Sequence, residues 1–129
     1  MRYKHRILSL LYYPYKIISN KKNNLRVLLF HDIAKDDFNK FKNILEWLSK
    51  DWNFISADDF GKMMNGDKKI IGNNLLLTFD DVFLSDYFVV KEILNPMGIP
   101  ALFFIISEFC MIDNKNEQKI FLENNLYPE

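Results

Sequence analysis

The sequence predicts an α/β fold in which parallel strands alternate with helices. Three observations carry this reading. Short, mainly apolar runs recur at residues 27–30, 75–79 and 101–106, with a further short strand candidate at 52–55. Stretches with apolar residues at helical spacing lie between them. The order strand, helix, strand, helix, strand fits parallel neighbours joined by helical crossovers.

Val27-Leu28-Leu29-Phe30 is apolar without interruption and ends at His31-Asp32, which predicts a strand covered on both faces. Asp36-Asp37 then open a helix in which Phe38, Phe41, Ile44, Leu45 and Leu48 share one side. Trp52-Asn53-Phe54-Ile55 is a short strand candidate. Ser56-Ala57-Asp58-Asp59 has the form of a capping box, and a helix should follow through Met64. Residues 75–79 form the next strand, and residues 85–94 have the apolar density of a helix packed on a sheet. Gly98 can supply a left-handed helix cap, and Pro100 suits the entry to a strand over residues 101–106, expected to be buried. Residues 119–125 fit a short amphipathic helix. Cys110 is the single cysteine; it follows Phe109, so it reads as a small buried hydrophobe, and a reducing compartment fits it best.

Composition limits the functional classes. Apolar residues make up 49% of the 129, including 12 Phe, which is enough for a packed core and excludes global disorder. The net charge is zero, yet residues 1–31 hold seven Lys/Arg and no acid. Residues 1–25 therefore read as a basic extension ahead of a mildly acidic body over residues 26–129. Tyr12, Tyr13 and Tyr15 beside basic residues fit peripheral membrane contact through residues 1–22; a solvated extension is the alternative. No basic–aromatic pattern recurs, which argues against a nucleic-acid partner. Without a recognisable export signal, the expected location is the cytoplasm or the inner membrane face.

The chemistry is expected at Leu77-Thr78-Phe79-Asp80-Asp81. Two carboxylates directly after a buried strand need a cation or a proton beside them. Asp-Asp occurs three times, but the pairs at 36–37 and 58–59 precede helices, where carboxylates cap N–H groups and complement the helix dipole. Asp80-Asp81 follows a strand instead. Neighbouring strand residues point to opposite faces, so two adjacent acids serve one centre only where the chain leaves the sheet. In parallel α/β folds ligands sit beyond the carboxyl ends of strands, and His31-Asp32 lies at another such end. If the two strands are neighbours, these residues share one face. His31 is then either a metal ligand or a hydrogen-bonded histidine packed beneath the site. No Ser-His-Asp, Cys-His or glycine-rich phosphate-binding pattern is present.

With these residues in view, the sequence resembles the polysaccharide deacetylase family of carbohydrate esterases. The resemblance runs from Arg26 to Ile106. It includes Leu29-Phe30-His31-Asp32-Ile33, Leu77-Thr78-Phe79-Asp80-Asp81, Ile93-Leu94 and Gly98-Ile99-Pro100-Ala101-Leu102-Phe103-Phe104-Ile105. It implies a distorted (β/α) barrel that hydrolyses the N-acetyl amide of a saccharide with a divalent metal, zinc being the expectation. By that resemblance Asp80 is the general base and Asp81 a metal ligand, with His31, Asp32 and Thr78 as candidate site-lining residues. The chain departs from the family in three ways. Val82 stands where the family usually has glycine. The downstream His-x-x-x-His motif is absent, and so are the later substrate-clamping motifs. The ligand set is thus incomplete. The expectation is the amino-terminal part of such a domain, truncated and in need of self-association or a complementing chain. The alternative is a non-catalytic carbohydrate-binding or interaction module of the same fold.

Overall fold

The computed structural model describes residues 23–125. The expected membrane contact through residues 1–22 lies outside them. No helix among the described residues is long and apolar enough to cross a membrane.

Four strands form one parallel sheet: β1 (Asn24–Phe30), β2 (Asn53–Phe54), β3 (Asn73–Asp80) and β4 (Ala101–Phe104). Strand β3 is central. It pairs with β1 along its length, from Asn24 opposite Asn73 to Phe30 opposite Phe79. Strand β2 pairs with its beginning and β4 with its end, Leu77 opposite Ala101 through Asp80 opposite Phe104. Among the described residues β1 and β4 pair with no further strand, so the sheet is an open part of a β/α barrel.

Helix α1 (Phe38–Leu48) follows a 3-10 turn at Lys35–Asp37. Helix α2 (Ala57–Asn65) starts as the capping pattern predicts, with Ser56 Oγ accepting the Asp59 N–H at 3.2 Å. It ends at Gly66, whose φ of +84° suits a residue without Cβ. Helix α3 (Leu84–Val89) widens into a π-helical turn (Val90–Leu94) and runs on into α4 (Asn95–Met97). Pro96 has no N–H for the carbonyl four residues back and crowds it, so the turn ahead of it opens. Gly98 ends this run at φ +64°, as expected. Two helices follow β4: α5 (Ser107–Cys110) and α6 (Lys115–Asn125).

Strand alternation sorts the core. Leu75, Leu77 and Phe79 face α1 and the α3 run, packing with Phe30, Phe41, Leu45, Leu48, Val89, Ile93 and Leu94. Leu76 faces the other way and meets Ile55 and Met63, with Phe60 of α2 against them. An aromatic row crosses the sheet one residue before the acidic pair. Phe79 stacks on Phe30 at 5.4 Å and on Phe103 at 4.9 Å, while Phe41 meets Phe30 edge-on at 5.1 Å. Such pairs add about 0.5–1.5 kcal/mol each beyond area burial. They anchor the end of β3.

Several expectations are corrected here. Strand β1 is not covered on both faces along its length: Leu25 packs against the cluster of Ile55, Met63 and Leu76, but Val27 and Leu29 on the same face are 48% and 49% exposed. The last strand stops at Phe104, and both Phe104 and Ile105 are exposed rather than buried. Cys110 is exposed on the short α5. The Asp37 side chain does not cap α1; it pairs with Lys40 at 2.7 Å. Helix α6 begins at Lys115, earlier than expected, and buries no residue.

Candidate active site

The site lies where β1 and β3 end side by side. Phe30 is opposite Phe79, so the residues that follow each strand leave the sheet at the same rim. This is the neighbour relation on which the shared face of His31 and the acids depends. His31 Nδ1 stands 3.5 Å from Asp81 Oδ2, both side chains partly exposed.

Asp80 is the last residue of β3 and shares the face of Leu76 and Thr78, away from α1 and α3. It is half-buried, and its carboxylate makes no hydrogen bond or ion pair among the described residues. Continued alternation would turn Asp81 towards the face of Phe79. The backbone breaks that pattern: Asp81 has φ +67° and Val82 has φ +49°. Two successive left-handed residues swing Asp81 out of the strand and towards His31. Val82 thus takes up a left-handed conformation at the position where glycine was the expected residue, and a β-branched side chain is strained there.

Asp32 extends the rim. Its Oδ1 accepts a hydrogen bond from Ser85 Oγ at 2.5 Å, which ties the end of β1 to the first turn of α3. Thr78 lies two residues before Asp80 and is buried, and its hydroxyl finds no partner among the described residues. The structure therefore brings His31 to Asp81, sets Asp32 beside α3, and keeps Thr78 beneath Asp80 on the same strand face.

Two participants were not foreseen. Asp86 Oδ2 accepts the Phe83 N–H at 2.8 Å, and its Oδ1 has no partner among the described residues. Burial pushes the Asp86 carboxyl up to about 6; the Phe83 N–H opposes this and nearby Asp32 adds to it. Ser85 is the other. The available signal was an acid at the third helical position of α3, hidden because the helix was expected to start at Ser85 rather than Leu84.

His31 and Asp81 offer one imidazole nitrogen and one carboxylate oxygen, chemically suited to a divalent ion. No group of three or more His, Cys, Asp or Glu side chains that could hold a metal occurs among the described residues. A zinc centre usually takes three protein ligands and a water. The described residues do not make such a centre by themselves.

The fold and rim define an α/β protein with an acidic pair at the carboxyl edge of a parallel sheet. Among solved structures, IcaB from Ammonifex degensii is similar at TM-score 0.62 and 27% identity, over 66% of this chain and 39% of that one. A de-N-acetylase from Aggregatibacter actinomycetemcomitans is similar at TM-score 0.56 and 24% identity, over 64% of this chain and 37% of that one. The fold is thus polysaccharide deacetylase-like, in part, and the chain spans about two-fifths of the length of these structures. No protein-family model matches the sequence, and no curated protein does.

Proposed function

We propose that this chain is a de-N-acetylase-like hydrolase acting on the N-acetyl amide of a saccharide, with Asp80 as general base. The observation that carries the reading is the rim itself: Asp80, whose carboxylate has no partner among the described residues, ends β3 directly before an Asp81 drawn onto His31. The partial likeness to a de-N-acetylase supports the same chemistry.

In this reading Asp80 takes a proton from the attacking water as its oxygen bonds to the amide carbonyl carbon. The C–N bond then breaks, acetate leaves, and the proton returns to the departing amine. Asp81 and His31 are two donors for a divalent ion whose third ligand would come from outside residues 23–125. No step here depends on that ion. Asp32 lines the approach, and Thr78 lies buried beneath Asp80.

The test is acetate release from an N-acetylglucosamine oligomer with added zinc. Asp80-dependent release supports the proposal. No release, or release unchanged in Asp80→Asn, removes it. A second reading, saccharide binding without hydrolysis, is favoured by the two-donor set among the described residues. It predicts oligomer binding with no Asp80-dependent acetate.

A further inference from the structure

The turn between β3 and α3 is an unfavourable one for its residues. Asp81 and Val82 are both left-handed, and Val82 is β-branched. Such conformations persist only where surrounding structure over-determines them. The brace comes from α3. Asp86 is 1% exposed, and its Oδ2 holds the Phe83 N–H, the first amide after the two strained residues. The Asp86 N–H donates in return to the Phe83 carbonyl at 3.0 Å. Phe83 is thereby gripped from both sides. A neutral acceptor would hold the same amide without burying a carboxylate oxygen that has no partner among the described residues. What the carboxylate adds is a charge-assisted bond, roughly twice as strong as a neutral one.

We infer that Asp86 is a positioning residue: by holding the Phe83 N–H it locks the left-handed turn that swings Asp81 onto His31. Ser85 works in the same direction from the adjacent position, fastening α3 to Asp32 at the end of β1. The inference rests on the proposed function only for what the Asp80–Asp81 pair is for. Its test needs no turnover, so loss of one leaves the other standing.

The test is long-range proton–nitrogen NMR of the His31 ring, assigned with His31→Gln. Asp81→Asn gives the signal of a broken pair. Asp86→Ala should move the His31 Nδ1 resonance to that position. Asp86→Asn should leave it at the wild-type position, because the amide oxygen accepts the same N–H. Adding Val82→Gly to Asp86→Ala should restore the wild-type signal, since glycine holds the left-handed conformation unaided. A folded Asp86→Ala variant that is less stable but keeps the wild-type His31 signal overturns the inference, for Asp86 would then be a cap alone. If Asp86→Ala does not fold, the double variant decides. A wild-type His31 signal supports the inference; a broken-pair signal, or failure to fold, overturns it.

Discussion

His31 and Asp81 meet across two strands that are 49 residues apart at their paired ends, with Nδ1 3.5 Å from Oδ2. Their meeting depends on two features: parallel pairing of β1 with β3, and a backbone reversal immediately after Asp80. The pair is partly exposed, and such ion pairs are worth about 0.2–1 kcal/mol. A double-mutant cycle with His31→Gln and Asp81→Asn should therefore give a coupling below about 1 kcal/mol. Denaturant unfolding of wild type, the two single variants and the double variant measures it, and a coupling well above about 1 kcal/mol would contradict a partly exposed pair.

Val82 carries the strain of the turn and is partly exposed, so it has little packing to lose. Val82→Gly should stabilise the protein by about 1 kcal/mol. This is the balance of roughly 1–3 kcal/mol of relieved strain and about 0.5–1 kcal/mol of added chain entropy. Denaturant midpoints of the two proteins check it.

The two faces of the sheet should respond differently to truncation. Phe79 is fully buried between Phe30, Phe41 and Phe103, so Phe79→Ala should cost about 3–5 kcal/mol. Leu29 is about half exposed near the end of β1, and Leu29→Thr should change stability by no more than about 0.5 kcal/mol. Equal losses at the two positions would mean that the face carrying Leu29 is covered.

Asp86 makes stability depend on pH. Its folded carboxyl titrates at about 6 against an ordinary 3.8, so the folded state holds the proton more tightly than the unfolded chain. Stability is then fully present below about 3.8 and is lost as pH rises through about 6. Relative to Asp86→Asn, which cannot titrate, wild type should lose melting temperature between pH 4 and pH 6.5. A parallel pair of melting curves across that range would show that Asp86 does not titrate there.

Much of the scaffold could be read from residue order. The runs ending at Phe30 and Phe79 became strands because continuous apolar segments bounded by turns have few other options, and Ser56 and Gly98 marked helix ends through their own chemistry. The exposure of Val27 and Leu29 could not be read, because both look the same on an edge strand as on a buried one. The left-handed turn was equally silent. Glycine or asparagine usually announces a positive φ, and here Asp81 and Val82 adopt it under tertiary constraint. Asp80, Asp81, His31 and Asp32 were all recognisable as a group at neighbouring strand ends. The device that aims Asp81, Phe83 held by Asp86, was not, because it depends on where α3 begins to within one residue.

In the proposed function Asp80 is the residue that moves the proton. Acetate release from an N-acetylglucosamine oligomer, compared between wild type and Asp80→Asn with zinc present, addresses this directly. A general base contributes on the order of 10²–10⁴-fold, so Asp80→Asn should lower the rate by about that factor while leaving the fold intact. Release that is equal in the two proteins, or undetectable in wild type, would contradict it.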